Sequence, residues 1–341
     1  MSLSRPIKFP LLKLPWLCIE GVVRSWDVFD IIFFALTSKK TRRIVKSLTI
    51  PLNGIHISVS ATTHIWLCSR VSKTWYLQKT SFESLLPQNA RKTSFTLRDN
   101  PKPLYISSKD DIMNSYCNGN ELIALKMAME FLNEMFKCSV EKVDIDRRFF
   151  SDFSCGVKST KNLFIRYNNS WPFSRAQNLQ VNMLLENLEV TDTCTFDVTN
   201  TENVFYCHPK LFKCKELKFY PGSAPWVTRE ILLQFEVPRL TFHVCPFSVE
   251  DILSFVTQWF HSDDKKFERL YIAFECEKFS LKTFQTAELN PEPFSGRNRV
   301  PLSECFIDMD FSKGLEIVRH DGLQATIHFT GRDFLFYIWH N

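Results

Sequence analysis

The hydrophobic pattern of this chain changes period at Leu48, and that change limits the fold to a helical opening joined to a strand-rich body. Upstream, Ile19, Val22, Val23 and Trp26 recur at helical spacing behind Pro15, which stands in a first turn where a missing N–H is harmless. Asp27 offers a cap for a short, very apolar helix over Val28–Leu36. Ser38 caps a third, from Lys39 to about Leu48, with Ile44, Val45 and Leu48 inward and the Lys and Arg residues wet. Beyond Leu48 the alternation Ile50, Leu52, Ile55, Ile57, Val59 takes over. Ile65–Leu67 and Thr74–Leu77 also read as short strands. Residues 81–118 are looser, and a helix then runs from Asn120 to about Phe136.

Further on, strand candidates alternate with helices. The strands are Val140–Ile145, Leu163–Tyr167, Leu188–Val190 with Thr195–Val198, Leu217–Tyr220, Arg239–His243 and Arg269–Phe274, and the helices include Arg229–Phe235 and Val249–Phe260. The spacing predicts degenerate, leucine-rich-repeat-like helix–strand units of roughly 23 to 30 residues. Gly314–Trp339 alternates again around a His320-Asp321-Gly322 turn and predicts a closing antiparallel meander. The expected class is α+β, with a three-helix module over 10–50, a strand-rich connection over 51–118 and an α/β domain over 119–341.

Other classes lose ground on composition. Nine glycines, with no GxGxxG or GxxxxGK[ST], argue against a phosphate cradle. The net charge of +5, from 42 basic and 37 acidic residues, is too mild for a nucleic-acid domain, and Lys39-Lys40-Thr41-Arg42-Arg43 reads as a solvated helix face. A scaffold or nucleic-acid-binding protein is the alternative reading. Ile31–Leu36 is far shorter than the roughly 20 residues a membrane span needs, and Pro6, Pro10 and Pro15 interrupt any signal peptide, so the expected location is the cytoplasm or nucleus. The eleven cysteines form no CxxC, and Cys207-His208 with Cys214 lacks a second ligand pair; no metal and no cofactor are expected. The sequon Asn168-Asn169-Ser170 reads as a polar loop, and Asp263-Asp264-Lys265-Lys266 as a solvated turn. No HExxH or GxSxG points to catalysis.

Over about residues 10 to 48, Leu14-Pro15, Ile19, Val22, Val23, Trp26, Asp27, Ile31, Ile32, Leu36 and Ser38-Lys39 follow one another in an order that resembles the F-box. Phe9–Pro15, Thr37–Thr41 and Ile44–Leu48 look like the F-box families expanded in nematodes. Trp226-Val227-Thr228, Phe255–Trp259, Phe267–Ile272 and Arg319–Gly322 resemble the F-box-associated domain that follows in those families. The resemblance implies a non-catalytic subunit of a Skp-cullin-F-box ubiquitin ligase. Leu14, Pro15, Ile19, Val22, Val23, Ile31, Ile32 and Leu36 would form the surface that packs and meets a Skp-family adaptor, and through it a cullin. The larger domain would capture an unidentified target protein. The chain has Trp16-Leu17 where F-boxes often carry an acidic residue.

Overall fold

The computed structural model describes residues 11–69, 72–79, 91–97, 100–109, 111–117, 121–146, 156–167, 175–198, 206–245, 247–274, 280–295 and 311–340. The leader before Leu11 and the sequon at 168–170 lie outside them. Contacts divide the chain into two compact units, Met1–Glu141 with Ser154–Val157, and Lys142–Phe153 with Lys158–Asn341. The class is α+β, three helices preceding the strands, with antiparallel strands at the C-terminal end. No helix among the described residues is long and apolar enough to cross a membrane.

In the first unit, α1 (Trp16–Ser25) starts directly after Pro15. Helix α2 (Val28–Thr37) is capped by Asp27, whose carboxylate accepts from the N–H groups of Phe29 (2.7 Å) and Asp30 (3.0 Å). Helix α3 (Lys39–Leu48) opens on a capping box in which Ser38 and Thr41 each accept the other's backbone N–H. Val23, Ile32 and Val45, one from each helix, are fully buried. The strands β1 (Gly54–Val59), β2 (Thr63–Cys68) and β3 (Lys73–Lys79) form an antiparallel meander. β3 pairs in parallel with β6 (Ile112–Cys117), which continues antiparallel through β5 (Asn100–Lys109) to β4 (Arg91–Leu97). Three strands thus occupy the stretch that reads as loose in sequence. Pro101 and Pro103 obscure β5, yet they sit in its pairing with β4, while its pairing with β6 begins at Leu104.

Helix α4 (Glu121–Met135) covers β2 and β3 and meets α3. Glu134 of α4 holds Arg42 in an ion pair, and the Arg42 guanidinium lies 5.3 Å from the Phe131 ring centre. Lys73 of β3 is almost buried, 2.6 Å from Asp111 Oδ1, 3.5 Å from Asp27 Oδ2 and 5.6 Å from the Phe29 ring centre. The sequence pattern puts this helix at the head of the last segment, from 119. Its apolar face, with Leu125, Ala128, Met129 and Leu132 buried, puts it in the first unit, which runs to Glu141.

In the second unit, β7 (Val140–Asp146), β8 (Ser159–Tyr167), β9 (Glu189–Val198), β10 (Glu216–Phe219), β11 (Arg239–His243) and β12 (Arg269–Ala273) lie in chain order, each parallel to the next. The crossovers include α5 (Arg175–Asn187), the single turn α6 (Arg229–Leu232) and α7 (Val249–His261). Sequential parallel strands with right-handed crossovers place their connecting helices on one face. Burial agrees: Ile165, Phe196, Leu217, Phe219, Leu240, Phe242, Leu270 and Ile272 are all at 0–1% exposure, and their alternates point the other way. Phe196, Phe219 and Phe242 stack across β9–β11 with centroids 5.4 and 5.1 Å apart. The sheet closes with β16 (Asp333–Trp339) antiparallel to β12, followed by β15 (Gln324–Thr330), β14 (Leu315–Val318) and the short β13 (Glu292–Pro293). Gly322, at φ 86°, makes the turn between β14 and β15.

Candidate functional site

Two surfaces stand out, one in each unit. The first is the opening of α1. Of the residues that the F-box likeness singles out, Ile19, Val23, Ile31 and Ile32 are buried in the first unit, Leu14, Val22 and Leu36 are half-buried, and Pro15 is exposed. The apolar surface exposed at the head of α1 consists of Leu12, Pro15, Trp16 and Leu17, with Leu17 at 77% and Trp16 at 44% exposure. Large apolar side chains in one exposed run mark a contact surface more often than a solvated one. Sequence reasoning noted Trp16-Leu17 as a departure. The signal that could have located them is the helical period itself, since Ile19 and Val23 face inward and leave Leu17, Gly21 and Arg24 outside.

The second surface is the side of the parallel sheet opposite its helices. At the N-terminal ends of the strands three cations meet two carboxylates. Glu216 pairs with Arg269 and lies 3.1 Å from Lys218 Nζ, and Arg239 donates to Glu268 at 2.6 Å. Toward the C-terminal ends the face turns aromatic. Phe164, Tyr220, His243 and Tyr271 run across β8, the end of β10, β11 and β12, with successive ring centroids 6.1, 5.2 and 5.9 Å apart. Lys142 and Arg166 lie over the Phe164 ring at 5.7 and 4.6 Å, and Arg166 is 3.0 Å from Asp144 Oδ2. Tyr271 donates to Asp333 Oδ1 at 3.0 Å; burial together with that bond pushes its phenol up to about 12. Burial, and then Lys218, hold the His243 imidazole below its ordinary pKa against the pull of Asp333. The backbone after His243 turns left-handed at Val244, φ 57°, where a β-branched residue is strained.

Other concentrations of reactive groups offer less. Cys194, Cys207 and Cys214 are buried near one another, and burial pushes the Cys214 thiol up to about 12 and Cys194 and Cys207 above the usual thiol range. Neutral, enclosed thiols are poor nucleophiles and poor ligands. The exposed His208 accepts the Lys210 N–H on its Nδ1 at 3.2 Å. Among the described residues no group of three or more His, Cys, Asp or Glu side chains could hold a metal ion. A groove of about 580 Å³ lies over Phe235, Phe255, Trp259 and Phe267. Its lip, Asp263 to Lys266, carries both signs of charge, and the Arg319 cation, 4.9 Å from the Trp259 ring centre, is matched by Asp321 at 2.8 Å. The groove therefore has no charge preference.

No family model matches the chain, and no solved structure matches it. It is 22% identical to an uncharacterized protein of Caenorhabditis elegans over 335 residues, which span 94% of this chain and 75% of that protein.

Proposed function

We propose that this chain is a non-catalytic substrate-recognition subunit of a Skp-cullin-F-box ubiquitin ligase, acting in the cytoplasm or nucleus. The observation that carries the reading is the exposed run Leu12, Pro15, Trp16, Leu17 at the head of a capped three-helix module whose residue order resembles the F-box. That run supplies apolar area for a Skp-family adaptor, and the aromatic margin of the second unit's sheet supplies a platform for a target. The mechanism is proximity: a target lysine held beside an activated ubiquitin reacts at a high effective concentration, with no catalytic group in this chain.

A nucleic-acid role finds less support, because Arg42 of the basic helix is paired with Glu134 and Lys46 lies 3.9 Å from the same carboxylate. The test is co-precipitation of the full chain with a Skp-family adaptor. Leu17→Asp puts a charge into the contact while leaving the core untouched, and should abolish capture. Equal capture by the variant would contradict the reading. Val23, being fully buried, would test folding instead.

A further inference from the structure

We propose that the C-terminal margin of the sheet face opposite the helices, where Tyr220, His243 and Tyr271 lie between Asp197 and Asp333, binds lysine or arginine side chains of an extended basic segment in a target protein. The inference rests on the reading of the second unit as the target platform, and it names the chemistry of what that platform takes.

Charge decides the sign of the ligand. Along the N-terminal row Arg269 and Lys218 share Glu216, Arg239 pairs with Glu268, and Asp144 pairs with Arg166. Lys218, the basic residue closest to the aromatic row on β10, lies 3.1 Å from Glu216, and its charge still acts on His243. At the other margin, Asp333 receives a hydrogen bond from the Tyr271 hydroxyl, which brings no charge. Asp197 follows Phe196, whose carbonyl accepts the Tyr220 N–H at 2.8 Å, so Asp197 lies on the strand next to Tyr220. His243, neutral at neutral pH for the reasons given above, does not repel a cation. An acidic segment would meet two carboxylates here; a basic one meets two partners.

The rings supply the second half of the argument. The face of an aromatic ring attracts an ammonium or guanidinium placed within about 6 Å. The chain already uses this chemistry at the other end of the same row, where Lys142 and Arg166 both lie over Phe164. Tyr220, at 39% exposure, offers the same kind of surface to a partner. Asp197 on β9 and Asp333 on β16 are separated by β10, β11 and β12, four strand spacings or about 19 Å. An extended peptide covers that distance in about six residues, so two basic side chains of one segment reach both carboxylates while the chain between them crosses the rings.

The probe is a fluorescein-labelled octalysine peptide, with octaglutamate as its counterpart, titrated against the full chain by fluorescence anisotropy at low salt. A net charge of +5 on the protein argues against indiscriminate retention of octalysine. Octalysine should bind and octaglutamate should not. Asp197→Asn with Asp333→Asn should weaken binding about tenfold or more; Tyr220→Leu should also weaken it, while Tyr220→Phe, which keeps the ring, should not. Circular dichroism of each variant verifies that the fold is intact. Octalysine affinity unchanged in both the double variant and Tyr220→Leu, or octaglutamate or a single-stranded oligonucleotide binding this margin more tightly, would overturn the proposal. Adaptor co-precipitation read on the same preparations keeps the two ideas apart, because an insensitive octalysine signal with normal adaptor capture refutes only the basic-segment inference.

Discussion

Lys73 ties the helical opening to the sheet of the first unit, and its replacement tests whether the two form one cooperative body. The ammonium, with 9% of the side chain exposed, lies between Asp111 and Asp27, the residue that also caps α2. Lys73→Met keeps the stem and removes the charge. At an effective dielectric constant of about 20, a unit-charge pair 3.5 Å apart is worth about 5 kcal/mol gross. The Asp27 and Asp111 side chains are 46% and 61% exposed, however, so screening brings each pair to about 1 kcal/mol or less. The Phe29 ring adds about 0.5–1 kcal/mol, and relief of the buried ammonium's desolvation works in the opposite direction. The net loss should be about 1–2 kcal/mol, read by thermal or urea unfolding followed through tryptophan fluorescence. The hydrogen bond to Asp111 raises the Lys73 pKa above its ordinary 10.5, and this outweighs the opposing effect of burial. A raised folded pKa means that the contribution is complete below about pH 10.4 and is lost as pH rises through the folded value. The gap between wild type and Lys73→Met should therefore hold through neutral pH and close in strong alkali. A variant as stable as wild type at pH 7, at both low and high salt, would refute the reasoning.

Much of this architecture was legible because burial leaves a period in the sequence. The caps at Asp27 and Ser38 placed α2 and α3, and the alternations through Leu217, Leu240 and Leu270 placed the parallel strands, since each has one face against the core. Helix α5 was harder to see: Val181, Leu184 and Leu185 face inward, but Leu179 and Met183 are exposed and blur the stripe. The affiliation of α4 was not legible either, because an amphipathic pattern says that one face is buried without saying which sheet buries it. The same limit applies to the sites. The period of α1 identifies its inward residues and leaves Trp16 and Leu17 outside without saying what they meet. Tyr220, His243 and Tyr271 come from separate segments that only the strand register brings into one row.

Three more outcomes follow from named contacts. Gly21→Ala should stabilise the chain by about 1 kcal/mol, because a Cβ there meets nothing within 4 Å in the middle of α1; unfolding midpoints read it. Phe336→Ala should cost about 3–5 kcal/mol, because its ring is fully buried among Phe255, Trp259 and Phe267, and a loss below about 1 kcal/mol in urea unfolding would contradict that packing. His243 has a folded pKa below its ordinary 6.5, set by burial and Lys218 against Asp333, with Tyr220 and Tyr271 flanking it. Its contribution is present above about pH 6.5 and is lost as pH falls through the folded value, so His243→Phe should flatten the stability profile between about pH 7 and 5.

The claim that the exposed head of α1 is an adaptor contact is tested most directly by calorimetric titration of the full chain with a purified Skp-family adaptor at two temperatures. The account predicts one-to-one binding with a negative heat-capacity change, the mark of buried apolar surface, and its loss in Leu17→Asp. Absence of binding by the intact chain, or the same binding isotherm from Leu17→Asp, would contradict it.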